Sequence, residues 1–158
     1  MKRREFFNSI TSKIKKEEKK HIIRPPYYKD KDLFFKECIN CEGFCVLACE
    51  ENIILINEDK TPIIDFSNGG CTYCDECANA CPSEVLSIEN KKNIDVNISI
   101  NILKCLSWNQ TMCFSCKDPC LDDAIDFIAM FRPEINSNCT SCGFCIKYCP
   151  VDAIEIGA

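Results

Sequence analysis

Apolar residues in this chain come in short bursts, not in long one-sided stripes. Four bursts, Ile53 to Ile56, Val85 to Ile88, Ile125 to Ile128 and Ile154 to Ile156, are rich in branched residues. Runs this short and this branched predict strands. Ile63, Ile64 and Phe66 follow a turn at Glu58-Asp59-Lys60 and offer the first burst a partner. Ile94, Val96, Ile98, Ile100 and Ile102 alternate with polar residues, a period of two that also predicts a strand. A turn at Asn90-Lys91-Lys92-Asn93 precedes it, and Phe131-Arg132-Pro133-Glu134-Ile135 predicts a break before the last burst. Near the start, Phe6, Phe7, Ile10 and Ile14 recur at helical spacing in a basic stretch, an amphipathic-helix pattern. There is no run of 18 apolar residues, so no membrane span is predicted.

The bursts belong to a larger repeat. Each is preceded by four cysteines: Cys38, Cys41, Cys45 and Cys49; Cys71, Cys74, Cys77 and Cys81; Cys105, Cys113, Cys116 and Cys120; Cys139, Cys142, Cys145 and Cys149. One unit is therefore a cysteine loop, a short helical turn and a strand. All 16 cysteines are used. The predicted fold is α+β, two tandem modules of two units, with short strands and short helices around the cysteines. The expected boundaries are a tail over 1–31, a first module over 32–92 and a second over 93–158.

An even cysteine count admits disulfides, which need an oxidising compartment. Charged residues from Lys13 to Lys20 stand where a secretory leader would be apolar, so a cytoplasmic protein with thiolate-bound metal is expected. The second and fourth runs read C-x2-C-x2-C-x3-C-P, closing on Pro82 and Pro150. This is the bacterial ferredoxin spacing for a [4Fe–4S] cluster, in which the fourth cysteine ligates the other cluster of a pair. Three cysteines two residues apart wrap a cubane, and the fourth points away. The first run has one extra residue, and the third has a wide first gap from Cys105 to Cys113. Exchange predicts four clusters: Cys38, Cys41 and Cys45 with Cys81; Cys71, Cys74 and Cys77 with Cys49; Cys105, Cys113 and Cys116 with Cys149; Cys139, Cys142 and Cys145 with Cys120. Three is the minimum, should the wide-gapped unit hold none. Zinc favours two C-x2-C pairs around a longer loop, which this crowding does not supply.

Charge is divided unevenly. Residues 1–24 carry nine Lys+Arg against three Glu, a net of +6; the rest carries ten against 21 Asp+Glu, a net of −11. The acidic body argues against nucleic acid as a partner. No phosphate loop or dinucleotide fingerprint is present, and the one histidine, His21, lies in the tail. No base or nucleophile can be named, so a non-enzymatic protein is expected. Gly43 and Gly143 are candidates for close backbone approach to cluster sulfur, with Phe44, Phe144 and Trp108 as shielding aromatics.

Beyond the cysteines, Arg3-Arg4-x-Phe6, Arg24-Pro25-Pro26, Cys49-Glu50-x-Asn52-Ile53, the wide-gapped unit and Phe131-Arg132-Pro133 stand in one order. In these the chain resembles the NapF-type ferredoxin-like proteins of periplasmic nitrate reductase operons, over nearly its whole length. The resemblance implies a cytoplasmic iron–sulfur protein. Before export, it would help mature the molybdenum-containing catalytic subunit, through contact with the precursor. The alternative is a general electron-transfer subunit of a larger oxidoreductase, with a redox donor or acceptor protein as partner.

Overall fold

The computed structural model describes residues 22–157. The candidate amphipathic helix, Arg3-Arg4 and His21 lie outside them. Helices are short: α1 (Asp32–Glu37), α2 (Phe44–Leu47), α3 (Glu76–Asn79) and α4 (Phe144–Lys147), with 3-10 turns at Cys38–Asn40 and Ile88–Asn90. Strands are β1 (Ile54–Ile56), β2 (Pro62–Ile64), β3 (Asn97–Ile100), β4 (Ile125–Ile128), β5 (Arg132–Ile135) and β6 (Ile154–Gly157).

The strands form three antiparallel ribbons. β1 pairs with β2 through Ile54 and Ile64, β4 with β5 through Ile125 and Ile135, and β3 with β6 through Ile98 and Ile156. In the second half, β3 and β6 bracket the inner β4–β5 ribbon. The first half repeats this plan in reduced form: Tyr28 bridges Leu86 outside the β1–β2 ribbon. The burst at Val85 to Ile88 thus contributes one bridge and a 3-10 turn, not a strand, while Val85 and Leu86 are buried.

Two sequence expectations need correction. Residues 22–31 are not simply tail, because Ile23 to Tyr28 are buried in the first half. Arg24 carries the reason: its guanidinium donates to the Thr61 hydroxyl at 2.5 Å and to the Pro62 carbonyl at 2.7 Å, and lies 4.9 Å from the Phe34 ring centroid. The segment at Phe131–Ile135 is not a break, because most of it is β5. Pro133 sits opposite Phe127 in a two-stranded ribbon, where a missing N–H costs little.

The cores differ in size. Ile23, Tyr27, Phe34, Ile53, Phe66, Val85 and Leu86 are among the buried residues of the first. Ile98, Ile125 and Ile154 make the second, together with Cys116 and Cys145. Ile94 begins the period-two run yet packs into the first core, and β3 starts only at Asn97.

Candidate iron–sulfur centres

Each cysteine unit folds by the same local rules. In three of the four, the third cysteine lies within a helical turn: Cys45 in α2, Cys77 in α3 and Cys145 in α4. The residue before each turn is left-handed, Gly43 at φ 76°, Asp75 at φ 68° and Gly143 at φ 87°. Glycine adopts this conformation freely and Asp tolerates it. After each fourth cysteine, a left-handed residue turns the chain into the next segment: Asn52, Glu84, Asp123 and Asp152. Their amides donate back to the carbonyls of Cys49, Cys81, Cys120 and Cys149. The third unit differs: Cys116 sits in a turn held by Lys117 and Asp118 amides on the Phe114 carbonyl.

These turns bring the thiols together in four sets. All 16 cysteines are free thiols. A void is lined by Cys49, Cys71, Cys74 and Cys77, beneath Tyr27 and Ile53. A second is lined by Cys120, Cys139, Cys142 and Cys145, with Ile98 and Ile125. A third is lined by Cys105, Cys113, Cys116 and Cys149, with Leu106 and Ile154. In the remaining set, Cys81 and Cys41 lie within electrostatic reach of both Cys38 and Cys45. Every set joins three cysteines of one unit to the fourth of its neighbour. Among the described residues no three His, Cys, Asp or Glu gather tightly enough for a single ion. Four thiols facing each other across an apolar void fit a cubane, whose four irons each take one thiolate.

Burial governs the ionisation of these thiols. It pushes Cys38 and Cys45 up to about 11, helped in each case by the charge of Cys81. It pushes Cys71 and Cys116 up to about 11 and Cys145 up to about 12. Cys77 is raised as well, again chiefly by burial. These buried cysteines therefore favour the neutral thiol, and iron must displace their protons on binding.

The exchanged cysteines also receive backbone donors. Leu86, Ala124 and Ala153 amides point to the sulfurs of Cys81, Cys120 and Cys149 at 3.5, 3.2 and 3.2 Å. Such bonds stabilise the more negative, reduced state of a bound cluster. The shielding aromatics behave differently from expectation. Trp108 is half-buried against β5, donating to the Pro133 carbonyl at 3.2 Å under the Arg132 guanidinium, and Leu106 lines the void instead. Phe44 is exposed, and Phe144 packs against Gly70. Tyr27 and Arg24 were missed as site residues. Tyr27 lines a void, and Arg24 lies within electrostatic reach of Cys38. Their only sequence signal was proximity to the Arg24-Pro25-Pro26 element.

A family profile described as a 4Fe-4S dicluster domain matches residues 37–85, and one described as a 4Fe-4S binding domain matches residues 134–155. The chain is 35% identical over 137 residues to the ferredoxin-type protein NapF of Escherichia coli K12, covering 84% of the chain and 82% of that protein. The chain belongs to the NapF ferredoxin-type family. It shares 31% identity over 139 residues with the NapF of Haemophilus influenzae, 85% of the chain and 78% of the relative. This NapF-family protein is also 31% identical over 127 residues to one component of an ion-translocating oxidoreductase complex from Methanosarcina acetivorans, 72% of the chain but 45% of that component. It is thus a ferredoxin-type iron–sulfur electron-transfer protein with multiple [4Fe–4S] clusters. Bound clusters supply reversible one-electron storage. The polypeptide supplies thiolates, amide donors to sulfur and an apolar lining. No described helix is long and apolar enough to cross a membrane.

Proposed function

We propose that this protein holds four [4Fe–4S] clusters in two tandem two-cluster modules. All 16 cysteines are ligands, paired by exchange between neighbouring units. The supporting observation is the gathering of the thiols into four sets of three plus one, three of them around apolar voids. The unit from Cys105 to Cys120, which neither family profile covers, forms its set in the same way as the others. The protein acts in the cytoplasm, in electron transfer and in maturation, prior to export, of the molybdenum-containing catalytic chain of periplasmic nitrate reductase. Family membership supports this role. Capture of the cytoplasmic precursor by the cluster-loaded chain tests it. A specific complex is expected; the absence of any complex, with normal nitrate reductase in a deletion strain, contradicts it. The partial match to the oxidoreductase component favours a second reading, an electron-transfer subunit of a larger complex. Rapid reduction by a donor protein and oxidation by an acceptor, with no precursor complex, would select it.

A further inference from the structure

The two halves meet along a seam that passes directly between two thiol sets. The Cys71 amide donates to the Cys142 carbonyl at 2.7 Å. A side chain on Gly70 would overlap the Phe144 backbone amide, and one on Gly143 would overlap the Phe66 ring. Gly143 also needs its left-handed φ of 87°. Gly70 has no such backbone requirement, so close approach is the whole reason for glycine there. Around this contact, the Tyr73 hydroxyl donates to the Thr140 carbonyl and accepts from the Ile94 amide. Ser141 donates to the Val96 carbonyl at 2.7 Å, and Lys147 to the Asn68 carbonyl at 2.6 Å.

Each half has its own internal contact. Cys45 lies within electrostatic reach of Cys77, and Cys116 within reach of Cys145. Across the seam, Cys71 lies within reach of Cys142. These contacts link the sets in series, led by Cys38, Cys71, Cys139 and Cys105 in turn. This spatial order differs from the chain order, because the last unit and not the third meets the first half.

We propose that the seam is an electron-transfer junction, with Gly70 and Tyr73 as positioning residues that hold the Cys71 and Cys139 sets in electronic contact. The inference rests on the four-cluster reading. Tunnelling falls steeply with separation, and a peptide hydrogen bond between two ligand residues is a short, partly bonded route. A one-electron donor protein fills one end of the series, and a one-electron acceptor protein drains the other. At each step one cluster core passes from the 1+ to the 2+ level as its neighbour passes from 2+ to 1+. No proton moves and no bond breaks. Without the seam, the chain would be two separate two-cluster carriers joined by a linker.

The test uses the full chain, loaded anaerobically with iron and sulfide and reduced with dithionite. Iron per chain and the electron paramagnetic resonance spectrum are read on the same sample. The proposal expects signals that require more than two mutually interacting spins. In Gly70→Ala at unchanged iron content, they should fall to those of two independent pairs. A fully loaded wild-type spectrum described by two independent pairs overturns the junction and leaves the four-cluster reading standing. An unchanged spectrum in fully loaded Gly70→Ala overturns the positioning role. Iron short of four clusters in the wild type overturns the underlying reading instead. Should Gly70→Ala fail to load, Tyr73→Phe, which removes the bond to the Thr140 carbonyl, is read in its place, and an unchanged spectrum there overturns the positioning role.

Discussion

Arg24 shows how much a single buried side chain organises here. It is 8% exposed and joins the segment before α1 to Thr61, Pro62 and, at 3.9 Å, the Asp59 carboxylate. Burial lowers its pKa, and Asp59 opposes that shift. Arg24→Ala strands the buried Pro62 carbonyl, which should cost about 1–3 kcal/mol in a denaturation midpoint series. Lysine should restore only part of this, since one ammonium cannot reproduce the forked contact. Tyr73 is the corresponding residue at the seam. Burial pushes its hydroxyl up from 10.0 to about 12. A raised pKa means that the folded state holds the proton more tightly. Its stabilisation is therefore complete below about pH 10 and lost as pH rises through about 12. Stability of the loaded chain should fall across that window more steeply in wild type than in Tyr73→Phe; equal slopes would refute the assignment. The cysteines announced themselves by spacing, whereas Arg24 and Tyr73 did not. Their partners lie 37 and 67 positions away, and no local pattern encodes such contacts.

The bursts at Ile54, Ile125 and Ile154 became strands, because branched residues with one buried face suit a ribbon. The segment at Phe131–Ile135 misled because proline is a breaker only where its N–H is needed. The hairpin joining β4 and β5 carries a local cost: Ala129 at φ 50° and Met130 at φ 69° are both left-handed. Met130 is 57% exposed and has little packing to lose. Met130→Gly should therefore stabilise the chain by about 1 kcal/mol, read from the denaturation midpoint. Ligand exchange between units is testable by iron content. Cys120→Ser and Cys142→Ser should each remove one cluster, about four irons per chain, and the double variant should lose no more. A double variant that loses about eight would show that each unit ligates its own cluster.

Taken whole, the two halves are unequally supported. Three buried isoleucines supply about 5–9 kcal/mol in the second core. Ordering the backbone there costs about 1–2 kcal/mol for every residue fixed. Bound clusters must close much of that gap. Iron removal should therefore abolish hydrogen-exchange protection across residues 97–157 before it does so around the larger first core, with Tyr27 and Phe34. The pairing of unit with unit was legible from the cysteine repeat. The order of the four sets was not, because it depends on the seam between Cys71 and Cys142. The central claim remains that all four units, including the wide-gapped one from Cys105, hold a cubane. Iron and acid-labile sulfide per chain, measured on anaerobically purified protein, test it most directly. About 16 of each is predicted, whereas about 12 of each, or a colourless zinc protein, would contradict it.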